Sequence, residues 1–388
     1  MRSLTFKRTL LYFIAFLFGF TQFIYNTYMT PYLTGILGIS ASFAGVIVGS
    51  YGVTQLICRL PLGILADTRQ KHRFFIFLGS FLCFVSSLIR VLTQNPYMLL
   101  FANTLSGIAI SMWISFTILN SMYYKPEELS KSLGTLTAVN NAGILASYIL
   151  GGLLYERFGM LLLFKLSMYS GILAFLASVF VKDEPTKASN VKVRDLLPVM
   201  LQKRLIVFAL LAAGLEMLLF ATANSFANNV IKEAGVSDTN LSICAALFSL
   251  SGVLSSYFVG TKAGQKLGDK RLVMLGFGCL AVYSFLLPFL RGFVPMAIIQ
   301  FVGGLGSAST FSVLMSCAIA GVPEEKRSTA MGFHQSVYSF GITIGPSIMG
   351  ALIDALSTRP AFLIAGAFAL VLAVTFPVVY TFAIKPAK

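Results

Sequence analysis

Histidine is almost missing from this chain of 388 residues: there are two, His72 and His334. The five cysteines, Cys58, Cys83, Cys244, Cys279 and Cys317, are odd in number, sit in apolar stretches and include no CxxC spacing. These scarcities exclude a zinc or haem constellation, so no metal and no cofactor is expected, and the cysteines read as small core residues. Charge is scarce as well, at 11% of residues against 57% hydrophobic, a balance that excludes a soluble domain. There is no Ser-His-Asp set, no pair of carboxylates within one apolar stretch and no acidic metal motif, which argues against an enzyme. No GxxxxGK loop appears, so ATP is not a direct energy source.

What the chain has instead is apolar length. Twelve segments of 20 or more mostly apolar residues run near 9–31, 42–66, 73–93, 96–121, 132–154, 160–181, 204–228, 240–261, 271–290, 294–318, 329–352 and 360–382. Each crosses about 30 Å of hydrocarbon as a helix. Strands in lipid alternate apolar and polar residues, whereas runs such as Leu161-Leu162-Leu163-Phe164 are apolar on all sides, so a barrel is excluded. The first segment follows the basic start Met1 to Arg8 but is too long for a signal peptide and lacks a small-residue cleavage site; it reads as a helix.

The net charge of +15 would suggest nucleic acid only if its placement were ignored. Of the 29 Lys and Arg, 22 fall on the side of the N-terminus, five (Arg90, Arg157, Lys232, Arg291, Arg359) on the other, and Arg59 and Lys165 within spans. By the positive-inside rule both termini and the central loop are cytoplasmic and the partner is the bilayer, a multi-pass cell membrane protein without nucleic acid.

The chain also repeats. At an offset of 197, Gly63 pairs with Gly260, Asn103 with Gln300, Gly107 with Gly304 and Pro126-Glu127-Glu128 with Pro323-Glu324-Glu325. At 198, Gly134 pairs with Gly332, Val139 with Val337, Gly143 with Gly341 and Gly152 with Gly350. Six helices return the chain to its starting face, so the expectation is an all-α membrane protein of two parallel, pseudo-symmetric six-helix bundles, residues 1–182 and 204–388, with a cytoplasmic linker at 183–203. That symmetry is one that transporters use.

Local motifs point the same way. The loop after the second helix reads Gly63-Ile-Leu-Ala-Asp67-Thr-Arg69-Gln-Lys71-His-Arg73, and its second-half copy runs from Gly260 through Gly264 and Gly268 to Lys270-Arg271. Helix 5 carries Ser147-Tyr148 before Gly151-Gly152, and helix 11 carries Gly345-Pro346 before Gly350. Over essentially its whole length the chain resembles the major facilitator superfamily, whose signature after helix 2 is Gly, three residues, Asp, then a basic cluster around a Gly. The resemblance implies twelve helices, alternating access, and a cytoplasmic latch made by Asp67 with the basic residues Arg69, Lys71 and Arg73, with Gly63, Gly260, Gly268 and Arg271 in the same element. It implies helix-packing roles for Gly151, Gly152, Gly345, Pro346 and Gly350. Two places depart from drug antiporters of the superfamily: Ser147-Tyr148 stands where helix 5 usually has Gly-Pro, and Asn103 stands at the usual helix 4 arginine.

Ionisable groups are costly in lipid, so those kept at mid-span are functional candidates. Glu216, near the centre of helix 7, is the first choice as a proton carrier, and His334 in helix 11, with an ordinary pKa near 6.5, suits a relay. Arg59 in helix 2 binds an anionic solute, pairs with an acid, or snorkels to the loop charges. Polar and aromatic groups at cavity depth are Gln22, Tyr25, Asn26, Tyr51, Gln55, Asn141, Asn224 and Tyr338; any of them can instead hydrogen-bond between helices. The function expected is secondary transport of a small solute, with proton-coupled export of an amphipathic compound or metabolite ahead of uptake or exchange of an anionic solute held by Arg59. A lipid flippase or membrane enzyme is the alternative of another class. Nothing in the sequence sets the oligomeric state, and a monomer fits.

Overall fold

A chain in lipid must satisfy every backbone donor and acceptor internally, and this one does so with helices. The computed structural model describes residues 2–69, 71–124, 128–183, 198–322 and 326–384, and among them no strand occurs. Eleven continuous stretches are long and apolar enough to span a membrane, and one of them is two helices. At Gly159 the backbone turns to φ +69 and ψ −171 inside the run Leu129–Ser178, a region open to glycine alone. The spans are therefore α1 Leu4–Ile36, α2 Ala41–Arg69, α3 His72–Leu92, α4 Pro96–Met122, α5 129–158, α6 160–178, α7 Lys203–Glu233, α8 Asp238–Gly260, α9 Asp269–Phe289, α10 Phe293–Ile319, α11 Arg327–Leu356 and α12 Thr358–Ile384.

The helices form two six-helix bundles. In the first, α1 packs on α5 and α6, α2 on α4, and α3 on α4 and the α5–α6 pair; in the second, α8 packs on α10, α9 on α10 and α12, and α7 on α10, α11 and α12. Between the bundles run two seams, α2 against α11 and α5 against α8. Small residues let these helices meet backbone to backbone. A side chain at Gly45 would strike the Pro346 carbonyl and one at Gly350 the Ala41 carbonyl.

With an even number of spans both termini lie on one face. On the far face the seams are closed. The Asp354 carboxylate of α11 accepts from Ala41 N (3.1 Å), Ser42 N (2.8 Å) and Ser42 Oγ (2.5 Å) at the start of α2. Tyr28 Oη donates to the Asp238 carbonyl at 2.7 Å, Thr239 Oγ1 to the Glu156 carboxylate at 2.7 Å, and Asn229 Nδ2 to Thr34 Oγ1 at 2.8 Å. An apolar cluster crosses between the bundles there, including Tyr28, Ala41, Phe226, Leu241 and Met349. Nearer the termini each bundle has a core of its own, one around Phe18, Phe116 and Leu136, the other around Phe208, Phe277 and Phe376.

Three helices are interrupted within the spans: α4 by a turn at Met112, and α1 and α7 near the cavity. α1 breaks between Phe23 and Asn26 and closes with a wide turn over Tyr32–Ile36, which carries it past the expected end at residue 31; α7 has the same wide turn at Thr222–Phe226. Non-helical backbone is tolerated at this depth where it lines a cavity or is buried in protein.

Candidate functional site

The breaks in α1 and α7 face one another across a cavity of about 190 Å3. Its wall takes Gln22, Tyr25 and Asn26 from α1, Tyr51 from α2, Asn103 from α4, and Phe220 and Asn224 from α7. A smaller recess beside it, lined by Asn26, Tyr148, Asn224, Asn228 and Gln300, adds α5, α8 and α10. Asn26 and Asn224 line both. Aromatic walls with a few amides suit a flat amphipathic solute.

Five of the polar residues chosen by depth thus line the cavity: Gln22, Tyr25, Asn26, Tyr51 and Asn224. Gln55 and Asn141 do not line these two cavities. Gln55 folds its amide back onto the Tyr51 carbonyl of its own helix at 3.2 Å. At the neighbouring position Asn140 donates to the Ala15 carbonyl at 3.0 Å, in the α1–α5 contact. Depth along a helix leaves the azimuth open, so Asn103 and Phe220, at the same depth, were missed.

A second group lies on the α2–α11 seam. Arg59 is 8% exposed; it turns to α11 rather than to the loop charges, with Nη1 donating to Tyr338 Oη and the guanidinium 5.1 Å from the Tyr338 ring centre. Glu216 of α7, 9% exposed, lies within electrostatic reach of both Arg59 and Tyr338. His334, one turn from Tyr338 on α11, is fully buried, packs edge-on to its ring at 5.8 Å, and has no hydrogen-bond partner at either nitrogen. Tyr51 connects this group to the cavity: it is within reach of Arg59 and Tyr338 and stacks on Phe220 at 6.4 Å.

Arg90 departs from expectation most. Counted by sequence among the loop charges, it is 1% exposed and points inward from the last turn of α3. Its guanidinium lies 4.5 Å from the centre of the Tyr25 ring, and Nη2 donates to Asn103 Oδ1 at 3.2 Å and Ser106 Oγ at 3.0 Å. The only sequence signal was the antiporter arginine missing at Asn103, since Arg90 fills the space beside that position from the neighbouring helix.

Of the expected latch, the side chains of Asp67 and Arg69 lie outside the described residues, as does Gln70. Lys71 is exposed, and Arg73 donates its backbone N–H to Asp183 Oδ1 at 2.7 Å and Nη2 to the Val179 carbonyl at 3.0 Å, holding α3 to the end of α6. In the second copy Gly260 ends α8, a short helix Lys262–Leu267 follows, Gly268 turns at φ +79, and Arg271 is exposed at the start of α9. Gly151 lies against the Ile24 carbonyl, Gly152 against Ser242, and Gly345 against Met217; Pro346 sits inside α11. Among the described residues no cluster of His, Cys, Asp and Glu could hold a metal ion.

The Major Facilitator Superfamily model matches residues 11–229 and 209–388, both halves of the chain. The chain belongs to this superfamily. It is a multi-pass membrane transporter for a small molecule, not an enzyme. Quinolone resistance protein NorA of Staphylococcus aureus is 24% identical to this superfamily member over 335 residues, covering 85% of this chain and 86% of NorA. The multi-drug resistance efflux pump PmrA homolog of Lactococcus lactis is 25% identical over 248 residues, 62% of this chain and 61% of the homolog. Among solved structures, a variant of the nucleoside transporter NupG superposes with a TM-score of 0.79 at 14% identity, covering 96% of this chain and all of NupG. A bacterial homolog of the human lysosomal transporter Spinster gives 0.74 at 15% identity over 98% and 96% of the two chains.

Proposed function

We propose that this transporter exports an amphipathic solute in exchange for protons, with the solute in the cavity between α1 and α7 and the proton on Glu216. The observation that carries it is the placement of Glu216: a buried carboxyl beside Arg59 and Tyr338, on the seam that must part for the cavity to change face, and linked to that cavity through Tyr51 and Phe220. Ionised, Glu216 attracts Arg59 and holds α7 to α2; protonated, it loses that attraction, since the interaction in a low-dielectric interior depends on charge. Proton binding therefore biases the seam, and solute binding next door feels the bias. His334, on the far side of Tyr338, is the relay group in this scheme.

The termini lie in the cytoplasm, as the charge distribution indicates. With the far-face seams closed, the arrangement is one not open to the outside, and residues 183–203 are the linker that lets the bundle of residues 1–182 rock over that of 204–388. Asp67, Arg69, Lys71 and Arg73 latch the opposite arrangement. Export fits the relatives whose names record drug efflux, NorA and the PmrA homolog.

The test is uptake of a lipophilic cationic dye into inside-out proteoliposomes under an imposed pH gradient. The wild type accumulates dye and Glu216→Gln loses gradient-driven accumulation, by about 100-fold or more as for other essential proton carriers, while still exchanging dye at equilibrium. Gradient-driven accumulation that survives Glu216→Gln would falsify the assignment. Uptake or exchange of an anionic solute on Arg59 is the second reading, favoured by the inward turn of that side chain. Under it, Arg59→Lys abolishes solute binding, because lysine cannot reproduce the guanidinium fork.

A further inference from the structure

Arg90 is the largest side chain in the molecule that is almost wholly buried. An arginine in the last turn of a membrane helix ordinarily runs its stem along the surface and places its head among the headgroups, but here the head is held between α1 and α4. Its neighbours are all neutral: Tyr25 on α1, Cys83 on α3 itself, and Asn103 and Ser106 on α4. Gln22, also neutral, closes the group by donating to Cys83 Sγ at 3.2 Å and to the Ser106 carbonyl at 3.4 Å. Among the described residues no ion pair involves Arg90, and its Nε and Nη1 are buried without an acceptor. The last carbonyls of α3 bring partial negative charge only. Buried charges are normally paired or bound to an ion, and buried donors are normally satisfied. This group is neither.

The counter-charge has one place to come from. Tyr25 and Asn103, the two groups that grip the guanidinium, both line the main cavity, and Gln22 does too. Asn103 cannot serve an anion itself, because its amide donates to the Ile47 and Val48 carbonyls at 2.7 and 3.2 Å and its oxygen is taken by Arg90. We propose that Arg90 is an anion-binding element of this cavity and that the solutes carried include aromatic carboxylates. A carboxylate entering between Tyr25 and Asn103 accepts a charge-assisted hydrogen bond from Nη1, one of the donors the protein leaves unmet. Its ring lies among Tyr51 and Phe220. The proposal rests on the reading of this cavity as the solute site.

The experiment is a binding comparison with the full chain in lipid nanodiscs, using 2-naphthoate and its methyl ester, which share a ring system and differ in charge. Thermal stabilisation gives each affinity. The wild type is expected to prefer the acid to the ester by tenfold or more, a ratio that collapses to near one in Arg90→Met and is intermediate in Arg90→Lys. A ratio near one in the wild type overturns the proposal without any variant, and so does a ratio that persists in Arg90→Met. A side chain with a structural role alone would move both affinities together and leave the ratio intact. Loss of gradient-driven dye transport in the wild type would sink the export reading, whereas the acid-to-ester ratio, an equilibrium measurement without a gradient, reports on Arg90 separately.

Discussion

Two buried arginines flank the cavity, and their surroundings are opposite in kind. Arg59 on the α2–α11 seam has an acid in reach, Glu216, and a tyrosine from the other bundle as hydrogen-bond partner. Arg90 has neither; its contacts all come from its own bundle and none is acidic. A cation with an internal partner that can itself bind a proton is suited to coupling, because protonation changes the charge balance at a moving interface. A cation without one is suited to receiving charge from outside, because its missing partner must arrive with something. The same residue type at similar burial therefore supports two tasks, and the neighbours decide which.

That contrast predicts different responses to the same change. Arg59→Met removes the cation within reach of the buried Glu216 carboxyl and its bond to Tyr338, and should lower stability by on the order of 2 kcal/mol. Arg90→Met removes a charge that had no counter-charge and, with the lost contacts to Asn103 and Tyr25 offsetting the gain, should stay within about 1 kcal/mol of wild type. Equal losses in the two variants, measured by thermal unfolding in nanodiscs, would erase the distinction.

A double-mutant cycle sharpens it. Arg59→Met with Glu216→Gln should recover about 1–2 kcal/mol relative to the sum of the single changes, whereas Arg90→Met with Glu216→Gln should be additive within about 0.5 kcal/mol. Coupling of Arg90 to Glu216 of the same size would mean that both cations serve one network.

The smallest effect concerns the far-face clasp, a carboxylate with no arginine at all. Asp354→Asn keeps the size but weakens the acceptor to Ala41 and Ser42, so the closed far face should lose about 1 kcal/mol. A cysteine placed at the far-face mouth should then label with a membrane-impermeant maleimide a few-fold faster. Unchanged labelling would show that the glycine seam closes this face unaided.

Much of this was legible in the sequence. The number, type and order of spans follow from hydropathy, because lipid leaves a chain no other way to satisfy its backbone, and the two bundles follow from the 197–198 offset. The extension of α1 to Ile36 was not, since Pro31 suggests an end and the wide turn after it is set by packing against α7. In the site, depth selected Tyr25, Asn26 and Asn224, which line the cavity, but could not separate Asn141 from Asn140, whose side chains differ by a third of a helical turn. Arg90 was invisible for a physical reason: in the last turn of a helix the same sequence permits a side chain that escapes to water and one that folds under, and only the space beside Asn103 decides between them. Glu216 was found because no loop is near enough to offer it an escape.

Gly159 joins α5 to α6 with no intervening loop, in a backbone conformation that only glycine adopts. Every loop in a machine of this kind is slack, and slack absorbs displacement before it reaches the next strut. Here there is none. A tilt of α5 at its seam with α8 would reach α6 through this single residue, so α5 and α6 form a bracket rather than two separate rods.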